Sequence, residues 1–134
     1  MDVYETLEGP NRLRSLIKSK KEKRLELIMS LFPGAIRYDK DKVQTAPSDK
    51  MSDIMASVDD LDNEIAELRE ELREARRTIE ALPLPEQELR VICLRYEDGL
   101  KWEDVARAVH KSRSTVHRIH KSAVDKLNVD IFQD

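Results

Sequence analysis

Apolar positions along much of this chain recur at alternating intervals of three and four. The clearest series is Met51, Ile54, Val58, Leu61, Ile65, Leu68, Leu72, Ala75, Ile79 and Leu82, which runs without a break. It is a heptad repeat, with Met51, Val58, Ile65, Leu72 and Ile79 at a and the remaining five at d. The pattern predicts one helix over about 51–82, a rod of roughly 48 Å at 1.5 Å per residue. A second helix is expected over about 11–32, with Leu13, Ile17, Leu27, Ile28 and Leu31 apolar at its two ends and charge between. Pro33-Gly34 is its stop signal, and residues 1–10 carry no clear signal. The connector 33–50 has no helical period. Ile36, Tyr38 and Val43 suit short extended pieces there, and Ala46-Pro47-Ser48 reads as a loop ending in a helix cap.

Pro83-Leu84-Pro85 ends the rod, because two prolines within three residues cannot continue an α-helix. A domain boundary is expected there, separating residues 1–82 from 83–134. Three shorter helical patterns follow. The first spans about Pro85 to Glu97, with Leu89, Ile92, Cys93 and Tyr96 inward and Asp98-Gly99 closing it. The second, about Trp102 to Val109, buries Trp102, Val105, Ala106 and Val109. The third carries Val116, Ile119, Ala123 and Leu127 on one stripe, and the polar turn His110-Lys111-Ser112 precedes it. This is the signature of a helix-turn-helix. The expected fold is all-α: a long helical hairpin or coiled coil over 1–82, then a three-helix domain of the winged-helix-like class without a wing.

The heptad seam must be covered, and two coverings compete. In a parallel homodimer through 51–82, Glu64 meets Arg69 and Glu71 meets Arg76 of the other copy, both attractive. Alternatively the basic helix 11–32 folds back antiparallel on the acidic helix 51–82. The two can coexist as a dimer of hairpins.

The net charge of -3 conceals a partition by sign. Residues 11–24 hold Arg12, Arg14, Lys18, Lys20, Lys21, Lys23 and Arg24 against Glu22, whereas ten acids face four arginines over 51–82. Residues 107–126 are basic again, with Arg107, Lys111, Arg113, Arg118, Lys121 and Lys126 against Asp125. Local sign is what a phosphate backbone within a Debye length of roughly 8 Å feels. Opposite the apolar stripe of the third helix stand Arg113, Ser114, His117, Arg118 and Lys121, the arrangement of a recognition helix for a DNA major groove. Arg113 and Arg118 suit guanine O6 and N7, because a guanidinium fork matches that pair. Ser114 and His117 suit bases or phosphate, whereas Lys121, Lys111 and Lys101 suit phosphates. Ser112 suits the cap of this helix.

The run LRVICLRYEDGLKWEDVARAVHKSRSTVHRIHKSAVDKL resembles region 4 of the sigma-70 family of bacterial transcription initiation factors. That pattern is an arginine-containing apolar helix, a Gly turn, a second helix of W/L-E-E-I-A type, S-R-x-x-V-x-R/Q-I and a closing A-L-x-K-L. The chain is more closely similar to small prophage proteins of Gram-positive bacteria that join a charged helical half to such a domain. The segment YDKDKVQTAPSDKM resembles their connector. The resemblance implies that Arg113, Ser114, His117 and Arg118 occupy the positions that contact promoter DNA. Lys101 stands where the family often has a Ser or Thr cap and His117 where arginine is more usual, so base preference does not transfer. Nothing resembles sigma region 2, which binds core polymerase and melts the promoter.

Other chemistry finds little support. The single Cys93 excludes an internal disulfide and reads as a buried thiol in a reducing compartment. His110, His117 and His120 lack paired cysteines at zinc spacing, no glycine loop suits a phosphate, and neither an enzyme nor a cofactor is expected. No run approaches the roughly 20 apolar residues of a membrane helix, and the N-terminus lacks the pattern of a signal peptide, so a cytoplasmic protein is expected. The expected function is a sequence-specific DNA-binding transcription regulator, with double-stranded DNA as partner and RNA polymerase as a second candidate. The alternatives are a phage DNA-packaging recognition subunit resembling a small terminase, and a polymerase-interacting module with weak DNA binding.

Overall fold

The computed structural model describes residues 2–32 and 47–130. Five helices account for most of them, and no strand occurs among the described residues: α1 (Val3–Met29), α2 (Pro47–Glu80), α3 (Glu86–Ile92), α4 (Trp102–Val109) and α5 (Arg113–Asp130). A π-helical turn, Cys93–Glu97, continues α3 to Asp98. The fold is all-α, with the helix-turn-helix at its C-terminal end. The expected stop at Pro33-Gly34 and the extended pieces at Ile36, Tyr38 and Val43 lie outside the described residues.

Both long helices begin earlier than their sequence signals suggest. The start expected near Asn11 lies at Val3, and the helix passes through Pro10, which contributes no amide to the ladder. Packing overrides that cost, since Val3, Leu7 and Pro10 are buried at helical spacing. At Gly9 the helix passes close to α2, where an added Cβ would lie in ordinary contact, 3.8 Å, with that of Ala75. The start of α2, expected at Met51, lies at Pro47, the helix position where a missing amide costs nothing.

The packing divides the chain into two compact units: Met1–Arg14 with Glu71–Asp134, and Ser15–Glu70. The second is an antiparallel hairpin of α1 and α2. Lys20 pairs with Glu64 at 3.2 Å and Arg24 with Asp62 at 2.6 Å, so the opposite charges read in the sequence meet within one chain. Each pair is largely solvent-exposed and contributes little beyond register. The seam residues Val58, Leu61 and Ile65 are buried, as is Ile17 on α1. The centre of the heptad seam is thus covered inside the chain, and a homodimer through the 51–82 seam would require the hairpin to open.

The other unit has two apolar clusters. Val91, Val105, Ala106 and Val116 are buried together, with Leu94, Leu100, Trp102, Val109 and Ile119 against them. This cluster joins the three helices of the helix-turn-helix. The second gathers Val3 and Leu7 from α1, Ile79 from α2, Leu82 just beyond it, Ile92 and Tyr96, and Ala123, Val124 and Leu127 from α5. The start of α1 and the end of α2 are therefore part of the core on which α5 is seated.

Candidate nucleic-acid interface

The turn before α5 is built from local chemistry. His110 closes α4 in the left-handed conformation at φ 58°, and the amides of His110 and Lys111 donate to the carbonyls of Arg107 and Ala106 at 3.2 and 3.0 Å. These bonds satisfy the last carbonyls of the helix and reverse the chain. Ser112 then caps α5: its Oγ accepts from the Thr115 amide at 3.2 Å, and its carbonyl accepts from the Val116 amide at 3.0 Å. With Arg113 at the first position, α5 presents the positive end of its backbone beside a cation.

The apolar side of α5 is held firmly. Val116, Ala123 and Leu127 are buried and Ile119 half-buried, as the stripe predicts, and Val124 joins them. Arg113, Ser114, His117, Arg118 and Lys121 are exposed on the other side, and Lys111 and Lys101 are exposed on the flanking turns. Among the described residues Arg113, Arg118, Lys111 and Lys101 make no ion pair. Lys121 differs, since its Nζ lies 3.2 Å from Asp125 one turn along the helix. Both groups are well exposed, so water and salt weaken that pair and leave Lys121 able to exchange partners.

Beneath this face lies an aromatic layer that the helical pattern does not announce. The Trp102 ring sits 4.8 Å from the rings of both His117 and His120. The Arg95 guanidinium lies 4.7 Å over the Trp102 ring and donates to the Leu100 carbonyl at 2.9 Å. His120 Nε2 and Tyr96 Oη are hydrogen-bonded at 2.7 Å. Burial, with smaller contributions from His117 and Arg95, lowers the His120 pKa, so the bond engages a neutral imidazole. Burial pushes the Tyr96 phenol up to about 12. Only His117 of this layer reaches the exposed face, where Trp102 limits its freedom.

A second support comes from α1. Arg14 donates to the carbonyls of Glu97 and Tyr96, the latter at 3.4 Å, and to the side-chain oxygen of Asn11. It thereby holds the C-terminal carbonyls of the π-turn, favourable for a cation at a helix end. Burial and the nearby Arg76 lower its pKa, opposed by Asp98 and Glu97. Gly99 follows with φ 72°, and a Cβ there would come within 3.0 Å of Arg14 and Asn11. The closing Asp98-Gly99 turn needs glycine for both reasons.

Cys93, expected to be buried, is half-buried, with its thiol pushed up to about 12 by desolvation and by Glu97. A thiol so shifted stays protonated and unreactive. No group of three metal-binding side chains converges among the described residues, so His110, His117, His120 and Cys93 are not gathered into a ligand set. No helix among the described residues is long and apolar enough to cross a membrane.

Residues 83–128 match the family model described as Sigma-70, region 4, which covers about a third of the chain. These residues form a sigma-70 region 4-like helix-turn-helix domain, a DNA-binding regulatory domain. No curated protein and no solved structure matches the chain.

Proposed function

We propose that this protein is a sequence-specific DNA-binding transcription regulator of phage or prophage type that reads the major groove with α5. The observation that carries the reading is the division of α5 into two faces: Val116, Ala123 and Leu127 fixed in the core, and Arg113 and Arg118 exposed without ion-pair partners among the described residues. Unpaired guanidiniums on a rigid helix lose little on meeting bases, because they give up no internal partner. Arg113 and Arg118 take guanine O6 and N7, and Ser114 and His117 contact bases or phosphate nearby. Lys111 and Lys101, on the turns flanking α4, contact phosphates, as does Lys121 after exchanging Asp125 for the backbone. The match to a domain of transcription initiation factors supports RNA polymerase as a second partner.

Replacing single contacts tests this division of roles. Arg118→Ala should weaken binding to the preferred duplex by about 1–3 kcal/mol and relax the preference at one base pair. Lys121→Ala should weaken all duplexes alike and reduce the salt slope by about one. Fluorescence anisotropy across a salt series measures both. An Arg118→Ala chain that binds every duplex as the parent does would sink the proposed role of α5.

A further inference from the structure

The side chains that α5 exposes are not equally free. Arg113, Ser114 and Arg118 have no side-chain hydrogen bond, ion pair or ring contact among the described residues, whereas the His117 ring lies 4.8 Å from the Trp102 ring at an interplanar angle of 51°. Trp102 is itself held by other elements. It opens α4, half-buried against the cluster of Val91, Val105 and Val116. The Arg95 guanidinium over its ring is tied to the Leu100 carbonyl. The His120 ring meets it edge-on at 4.8 Å, and His120 is tied in turn to the buried Tyr96. Two anchored neighbours thus fix the indole, and the exposed His117 ring rests against it.

The difference decides what each side chain loses on binding. Arg113 and Arg118 give up no internal partner when they meet DNA, but they do give up rotamer freedom. A ring already held in one pose has less freedom to lose, and the direction of its N–H is set in advance. A donor of fixed direction suits a base edge, where each acceptor has one position. A phosphate asks for less, since side chains of several kinds serve it and its contacts carry no sequence information. His117 also lies one helical turn from Arg113 and one from Lys121, in the middle of an exposed row of α5. The fixed ring therefore stands at the centre of the candidate surface and not at its rim.

Resting on the reading of α5 as the recognition helix, we infer that His117 reads one base pair from a pose fixed by Trp102, and that Trp102 and Arg95 are positioning residues for that contact. Neither of the two has to touch DNA. Preference at that base pair then depends on α4 and on the π-turn as well as on α5.

Two measurements on the full chain test the inference. In the free protein, nuclear Overhauser contacts should join the His117 ring to the indole, and its ring protons should feel the indole ring current, unlike those of His110, which has no ring contact among the described residues. Absence of both overturns the inference without reference to DNA. Selection from random duplexes gives the second readout. His117→Ala should lose preference at one base pair and about tenfold in affinity for the preferred duplex. Trp102→Leu, which keeps apolar bulk, should lose preference at that same pair, Trp102→Phe should recover it, and Arg95→Met should weaken it. Combining His117→Ala with Trp102→Leu should weaken binding no further than His117→Ala alone. A Trp102 that only supports the fold would weaken every position alike and add to His117→Ala, and either result overturns the inference. Should Trp102→Leu lose its helical circular dichroism, Arg95→Met decides, and an unchanged preference overturns it. Arg118→Ala separates the two failures. If the motif ignores Arg118→Ala, the reading of α5 falls; if the motif responds but His117→Ala and Trp102→Leu act at different base pairs, the positioning alone falls.

Discussion

Leu7 offers the sharpest test of the claim that the start of α1 is part of the DNA-binding unit. It is 1% exposed and lies in the same core cluster as Ile79, Ile92, Tyr96 and Leu127. Leu7→Ala removes three carbons from a site walled by α1, the end of α2, the first helix of the helix-turn-helix and α5, so the walls cannot all collapse inward. Leucine-to-alanine changes at such sites cost about 2–5 kcal/mol, and a value near 3 is expected here. For a unit of this size that lowers the midpoint of thermal unfolding by more than about 10 °C. The single tryptophan makes the measurement local, because Trp102 sits on α4 against His117 and His120. Its fluorescence reports the helix-turn-helix directly, which matters in a chain whose two units need not unfold together. Leu25→Ala is the control: that side chain is exposed and should move the Trp102 transition by less than about 0.5 kcal/mol. If Leu7→Ala also leaves the transition within that margin, the helix-turn-helix folds without α1 and the shared core is refuted.

Other consequences follow from the same packing. Gly99→Ala should destabilise the Trp102 transition by more than about 1 kcal/mol, since it strains a positive φ and crowds Arg14; a neutral effect would mean the turn does not need that geometry. Ser112→Ala should cost about 1 kcal/mol through the lost cap of α5, read by urea denaturation. Burial lowers the His120 pKa, so its contribution is fully present above the unfolded value of roughly 6.5 and is lost as pH falls through the folded value. Glu97, raised chiefly by burial, acts oppositely: its contribution is present below the unfolded carboxyl value and lost as pH rises through the folded one. Stability measured from pH 8 to 5 should therefore lose most of its fall below pH 6.5 in His120→Gln, and an unchanged profile would remove His120 as the cause.

Much of this architecture is legible in local pattern because local chemistry decides it. The stripe Val116–Ile119–Ala123–Leu127, the Ser112 cap and the turn at His110 need only helical spacing and a hydroxyl, and each is present as expected. The start of α1 is hidden because Gly9-Pro10 looks like a break, while the Val3–Leu7–Pro10 spacing acquires meaning only from a core supplied by α3 and α5. Arg14 is similarly opaque: as one cation in a basic run it resembles its neighbours, and only the tertiary fold sets it on the carbonyls of Tyr96 and Glu97. The heptad seam predicts a buried line but not its partner, because the same a and d positions suit a second chain or a folded-back helix. Of the aromatic layer, Tyr96 and Trp102 read as simple core. Their contacts with His120 depend on three helices meeting, and no spacing within one helix encodes that.

The measurement closest to the central claim is selection of bound duplexes from a random pool by the full chain at moderate salt. Recognition by α5 predicts one enriched motif, with a guanine whose enrichment fades in the Arg118→Ala chain while the rest of the motif persists. A pool that stays random, or a motif identical in the two chains, would contradict it.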